Sequence, residues 1–170
     1  MSGDGSQGTS AAPRRGRFIT IEGGEGAGKS TQARRIVETL QHMGIKAIAT
    51  REPGGTPKAE ELRAALLAGL VAPLGPTAEA IAFSAARIDH LDQKIRPALE
   101  AGVWVVCDRF ADSTRAYQGA LGHVDPLLVS ALERVVVGET RPDLTLILDL
   151  DPKAGLGRAA FLLASLGAQV

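Results

Sequence analysis

Gly23-Gly24-Glu25-Gly26-Ala27-Gly28-Lys29-Ser30 fits the pattern G-x-x-x-x-G-K-[S/T] without a mismatch. The stretch before it, Phe18-Ile19-Thr20-Ile21-Glu22, is a short apolar run that predicts a buried strand. After it, Ala33, Ile36, Val37, Leu40 and Met43 recur at helical spacing, and Gly44 stands where that helix should stop. A glycine loop between strand and helix is a phosphate site for a physical reason. The glycines let backbone N–H groups turn inward around phosphate oxygens, and the helix N-terminus adds partial positive charge. In such a loop Gly23, Gly24, Glu25, Gly26, Ala27 and Gly28 cradle the phosphates of a nucleoside triphosphate. Lys29 reaches the β- and γ-phosphates, and the Ser30 hydroxyl is a ligand for Mg²⁺.

Outward from the loop, further strands are expected at Ile45–Thr50, Val103–Cys107 and Leu144–Leu150, all apolar enough to be buried. Helices are expected from Lys58 to about Leu70 and from Thr77, as N-cap, towards Glu100, with Pro97 kinking or dividing the second. A polar helical stretch over Asp112–Gly119, a helix opened by Asp125-Pro126 and a last one from Pro152 complete the order. Four buried strands alternating with helices make a parallel α/β sheet with helices on both faces, of the P-loop NTPase type. Ligands in such sheets lie beyond the carboxyl ends of the strands. Those ends carry the phosphate loop, Arg51-Glu52-Pro53, Asp108-Arg109 and Asp149-Leu150-Asp151. Asp108 suits Mg²⁺, and Arg109 suits a bridge between donor and acceptor phosphates. Arg51, aimed by the Pro-Gly-Gly turn after it, suits a phosphomonoester.

The chain has 170 residues, one domain's worth, with 45% hydrophobic and 22% charged residues. Nineteen basic residues balance nineteen acidic ones, so no bulk field favours nucleic acid or anionic lipid. One cysteine excludes an internal disulfide framework and suits a reducing cytoplasm. No apolar run approaches the roughly 18 residues of a membrane span. Residues 1–16, rich in Gly, Ser and Ala, read as a disordered lead-in. His42, His90 and His123 share no ligand spacing and read as surface residues, and Cys107 reads as inert packing.

In the helix after Thr77, a rotation of about 100° per residue puts Ile81, Ser84, Ala85, Ile88, Leu91 and Ile95 on one face. Phe83 falls on the opposite face with Glu79, Arg87, His90 and Lys94. An aromatic among charges is a poor core residue and a good platform for stacking a base, with Arg87 one turn on to meet a base carbonyl. Tyr117 and Gln118 are placed to close a base or sugar pocket. The apolar face of the same helix serves a core or a partner subunit equally well.

These residues together resemble the thymidylate kinase family. The resemblance rests on Glu22–Ser30, Arg51–Thr56, Phe83 with Ala86-Arg87, Asp108-Arg109-Phe110, Ser113-Thr114 with Ala116–Gly119, and Arg141–Leu146, in the family's order from about Arg17 to Arg158. It implies transfer of the γ-phosphate of ATP to dTMP, with Mg²⁺ required, by a cytoplasmic homodimer. It implies that Lys29, Asp108 and Arg109 serve the transfer, and that Ser30, Asp108 and Glu25 surround the metal. It further implies that Glu25 faces the sugar 3′-hydroxyl and that Arg51 and Arg109 grip the dTMP phosphate. Phe83 then stacks on thymine, Arg87 donates to its carbonyl, Thr114 and Gln118 approach the base, and Tyr117 crowds the 2′ position. Pro53 shapes the thymine end, with a cis bond as one option.

The implied kinase domain spans residues 17–158. Past Arg158 the family continues with an arginine-rich lid, a fifth strand and a final helix, whereas residues 159–170 here carry no charge. Gly24 to Ala27 contain no arginine either, and members of that kind take theirs from the lid. The expectation is a four-stranded sheet and impaired turnover, unless Arg158 or Arg115 stands in. A kinase for another nucleoside or nucleoside monophosphate, and an inactive nucleotide-binding remnant, are the alternatives.

Overall fold

The computed structural model describes residues 15–167, with side chains as far as Arg158 and at Ala160. The expected lead-in therefore lies outside the described residues up to Arg14, and most of the apolar tail's side chains do too. Arg15 and Gly16, assigned to the lead-in, are already tied to the body. The Gly16 N–H donates to the Leu99 carbonyl at 2.8 Å, and a Cβ there would lie 2.0 Å from the Val103 carbonyl oxygen.

Four parallel strands form one sheet in the order β2-β3-β1-β4: β1 Phe18–Gly23, β2 Ala47–Arg51, β3 Trp104–Asp108 and β4 Leu144–Leu148. Side chains alternate between its faces, so β1, β2 and β3 feed two cores, while β4 adds Leu146 and Leu148 to one of them. Phe18, Val105 and Cys107 pack with Leu91, Ile95, Leu99 and Val136 on one side. Ile19, Ile21 and Val106 pack with Ala33, Val37 and Leu40 on the other. Register brings the strand ends level: Asp108 is opposite Ile21 on one side and Arg51 on the other. That alignment puts the loop after β1, the arginine ending β2 and the aspartate ending β3 on one rim.

The helices are α1 Lys29–His42, α2 Pro57–Leu67, α3 Pro76–His90, α4 Arg96–Glu100, α5 Ala111–Thr114, α6 Pro126–Val137 and α7 Pro152–Gly167. Two caps show why they start where they do. Thr56 accepts the Ala59 N–H ahead of α2, and Asp125 accepts the Leu127 N–H ahead of α6, with proline first in both helices.

Several expectations need correction. Thr77 does not cap α3: Pro76 begins the helix after Gly75 (φ 89°), and no side chain caps it. The break expected at Pro97 falls earlier, where Leu91–Ile95 winds as a π-helix, and Arg115–Leu121 does likewise inside the polar stretch. β4 is not buried; it is, with β2, an edge strand among the described residues, and Ile147 is 75% exposed. The apolar face of the helix after Thr77, left open between core and partner, divides: Ile81 and Ile88 are 51% and 44% exposed, whereas Ser84, Leu91 and Ile95 are buried. On the opposite face Arg87 and His90 are buried, and Glu79, Phe83 and Lys94 are half-buried. His90 at 0% exposure is no surface residue, whereas His42 and His123 are exposed as expected.

Candidate functional site

The phosphate loop bends on Gly26 (φ 68°) and Gly28 (φ 87°), conformations open to glycine at no steric cost. Gly26 also lies against the start of α7, where a Cβ would fall 2.0 Å from the Gly155 carbonyl oxygen. Lys29, the first residue of α1, folds back so that Nζ donates to the Gly24 carbonyl at 2.7 Å. Burial, with the Arg109 guanidinium nearby, holds its ammonium below the ordinary lysine range.

Ser30 donates its hydroxyl to Asp108 Oδ2. Asp108 Oδ1 is buried and has no hydrogen-bond partner among the described residues. An orphaned carboxylate oxygen in the interior is costly unless something positive meets it. Hydroxyl and carboxylate oxygens suit Mg²⁺, which keeps several waters and borrows phosphate oxygens. Ser30 and Asp108 therefore fit the ion. Glu25, grouped with them from sequence, is instead paired with Arg109 Nη2 at 2.6 Å.

Arg109 follows β3 at φ 68°, a left-handed conformation unusual outside glycine. Glu22 holds the turn. Its buried carboxylate accepts the Phe110 N–H at 2.8 Å through Oε1 and the Ser113 hydroxyl at 2.7 Å through Oε2. Burial raises its pKa above the ordinary glutamate range, against the pull of those two bonds. Thus braced, the Arg109 guanidinium lies 5.2 Å from the Tyr117 ring centroid, with Nη1 donating to Ser113 Oγ at 3.2 Å. Arg51, at the neighbouring strand end, is held by Glu60 at 3.1 Å. Glu60 also accepts the Gly55 N–H at 2.9 Å, and that bond, with Arg51, lowers its pKa despite some desolvation.

At the other end, Glu52–Pro53 is a cis peptide, the option anticipated there. Arg63 donates to the Pro53 carbonyl at 2.8 Å. Arg87 is buried, with Nε on Glu52 Oε2 at 2.6 Å and Nη2 on Thr114 Oγ1 at 3.0 Å. Glu25, Arg51, Pro53, Phe83, Arg87, Arg109, Thr114, Tyr117 and Gln118, every residue assigned to the acceptor nucleotide, line one cavity of about 840 Å³. Gly26, Gly28, Lys29, Ser30 and Asp108 line it as well. A cleft of that size takes a drug-sized ligand. A second, shallower cavity of about 570 Å³ shares Ser30, Arg51 and Asp108 as a wall. Arg115, weighed as a substitute for a lid arginine, is engaged by Glu133 and Asp112 and does not line the cavity.

Sequence reasoning gave Glu22, Glu52, Glu60 and His90 no task. Glu52 and Glu60 pair with Arg87 and Arg51, Glu22 braces the turn that presents Arg109, and His90 stands one step behind, on Glu52. The available signal was adjacency: Glu22 precedes the phosphate loop, and Glu52 sits between Arg51 and Pro53.

A parallel sheet with a glycine loop at β1, a lysine and serine opening α1, and a buried aspartate ending β3 defines the P-loop nucleotide-binding class. The model of the family described as thymidylate kinase matches residues 21–162. Thymidylate kinase of Bradyrhizobium diazoefficiens is 56% identical over 146 residues, covering 86% of this chain and 64% of that protein. That of Nitrobacter winogradskyi is 57% identical over 150 residues, covering 88% and 65%. The crystal structure of thymidylate kinase from Ehrlichia chaffeensis superposes with a TM-score of 0.75 at 35% identity, covering 91% of this chain and 82% of that one. The chain belongs to the thymidylate kinase family. It spans 64% and 65% of the lengths of the first two relatives.

Proposed function

We propose that the chain binds dTMP between Phe83 and the phosphate loop and phosphorylates it with ATP to give dTDP. One observation carries this reading: a single cavity is lined by Lys29 and Ser30, by Arg51 and Arg109, and by Phe83 with Arg87. Those three pairs match the three parts of the reaction: donor phosphates, acceptor phosphate and base.

In this reading the dTMP phosphate takes the place of carboxylates. Arg109 exchanges Glu25 for it and Arg51 exchanges Glu60, both through charge-assisted bonds to phosphate oxygen. A phosphomonoester has a second pKa near 6 and is mostly dianionic at pH 7. The attacking oxygen therefore carries no proton and needs no general base. It bonds to the γ-phosphorus as the bond from that phosphorus to the β–γ bridging oxygen breaks, and ADP departs. Lys29 and the loop amides hold the donor phosphates, and Arg109 lies between donor and acceptor. Mg²⁺, held through Ser30 and Asp108, would neutralise charge on the β- and γ-oxygens. Glu25, released from Arg109, is left to meet the sugar 3′-hydroxyl, and Tyr117 to crowd the 2′ position.

The outward stripe of Ile81, Ala85 and Ile88 on α3 supports a homodimer, since a row of exposed apolar residues on one face favours a second copy. The single cysteine, buried and free, is in keeping with a cytoplasmic enzyme.

The test is ADP release by the purified chain with dTMP, dUMP, dCMP and thymidine side by side. The reading expects dTMP to give the highest kcat/KM. A preference for thymidine would defeat the assignment of a phosphorylated acceptor, and equal rates with dCMP would defeat the assignment of the base.

A further inference from the structure

A guanidinium has five N–H donors. Arg87 spends three: Nε on Glu52 Oε2 at 2.6 Å, and Nη2 on the Phe110 carbonyl at 3.2 Å and on Thr114 Oγ1 at 3.0 Å. The two on Nη1 have no partner among the described residues, and Arg87 lines the cavity beside Phe83. The Phe110 ring, 5.1 Å from Cζ, limits tilting of the plane. What Arg87 offers a ligand is therefore donors alone. They match a ring carbonyl and leave an exocyclic amino group without an acceptor.

Arg87 is aimed by Glu52, and Glu52 is fixed in turn. Its Oε1 meets His90 Nδ1 at 3.1 Å, and His90 Nε2 meets Thr50 Oγ1 at 2.7 Å. His90 is fully buried, and Glu52 nearly so. Gly55, at φ 92°, closes the loop over the ring: a Cβ there would lie 2.5 Å from His90 Nε2. With Nδ1 donating to Glu52 and the Thr50 hydroxyl donating to Nε2, both ring nitrogens of His90 are satisfied. Thr50, His90, Glu52 and Arg87 thus form one buried line from strand β2 to the base end of the cavity.

We propose that His90 is a positioning residue for base selection: through Glu52 it aims Arg87 at a pyrimidine bearing a carbonyl at ring position 4. This rests on the dTMP reading above and adds to it the element that separates keto from amino pyrimidine monophosphates. A histidine serving only to fill the core would affect stability without changing that preference.

The experiment is titration calorimetry of dTMP, dUMP, dCMP and ATP into the full chain and into His90→Phe, His90→Asn and Thr50→Val. His90→Phe keeps an aromatic ring of similar size and deletes both hydrogen bonds. It should lower the dTMP-over-dCMP affinity ratio about tenfold, the scale of one charged-group hydrogen bond. The dTMP-over-dUMP ratio, in which both bases carry the carbonyl, and the ATP affinity should stay within twofold. His90→Asn, whose amide nitrogen can replace Nδ1, should return the dTMP-over-dCMP ratio to within about threefold of the parent. Thr50→Val supplies a milder loss in the same direction should His90→Phe not fold. An unchanged dTMP-over-dCMP ratio in a folded His90→Phe or Thr50→Val would overturn the proposal. A parent chain that binds no dTMP would instead remove the reading beneath it, and the parent titration alone reports that.

Discussion

Replacing Glu22 separates the brace from the residues it serves. Glu22 touches neither cavity, yet it holds the turn that presents Arg109. Glu22→Ala leaves two donors. The Phe110 N–H is buried and has no other acceptor among the described residues, whereas the Ser113 hydroxyl is part-buried and can swing towards water. A buried orphan donor costs about 1–3 kcal/mol, and lost side-chain packing adds to it, so about 3 kcal/mol is expected. For a domain of this size that lowers Tm by about 6–12 °C. Glu22→Gln can turn its oxygen to the Phe110 N–H and its amide to Ser113 Oγ, so about 1 kcal/mol is expected. The pH dependence separates the two causes. Because burial raises the pKa of Glu22, the folded state favours the protonated acid. Its contribution is full below the unfolded-state value of ~4.3 and is lost as pH rises through the higher folded value. Glu22→Gln does not titrate, so its stability should improve relative to the parent as pH rises from 4 towards 7. Urea unfolding across that range is the assay. A Glu22→Ala variant within about 0.5 kcal/mol of the parent, or a Glu22→Gln difference flat with pH, would refute the reasoning.

Three further changes test other parts. Glu60→Gln keeps an acceptor for the Gly55 N–H and removes the charge holding Arg51, a half-exposed pair worth at most about 1 kcal/mol. The dTMP affinity should rise about two- to fivefold by calorimetry; a fall would mean that Glu60 aims Arg51 instead of competing for it. Gly26→Ala puts a Cβ at φ 68° and 2.0 Å from the Gly155 carbonyl. It should cost about 2 kcal/mol or more and weaken ATP binding over tenfold, with dTMP binding little changed. Asp108→Asn removes the charge on the orphaned oxygen. The Mg²⁺ midpoint for ADP release should rise at least about tenfold, and an unchanged midpoint would remove Asp108 from the metal site.

The fold was legible because its signals are local. Alternating apolar strands and a glycine loop with both flanks in place announce themselves within a few residues. Helix geometry alone put Phe83 and Arg87 on one face, away from the isoleucines, and both line the same cavity. The same geometry left open whether the apolar face meets a core or a partner, and the structure divides it, burying Ser84, Leu91 and Ile95 and exposing Ile81 and Ile88. The stripe of Ile81, Ala85 and Ile88 looks like a core seam yet lies outward, and composition cannot tell a face for the core from a face for a partner. β4 did mislead, because Leu144 to Leu148 is as apolar as a central strand although it is an edge strand among the described residues. His90 was illegible for another reason. Its partners, Thr50 and Glu52, lie 40 and 38 residues away, and only the packing of α3 against the end of β2 brings them together.

A crystal structure of the chain with dTMP bound would show whether base and phosphate share the one cavity. The phosphate should lie between Arg51 and Arg109, which leave their carboxylates for it, with thymine stacked on Phe83 and its ring-4 carbonyl on Arg87. A nucleotide lying with its phosphate at Arg87, or seated outside this cavity, would contradict it.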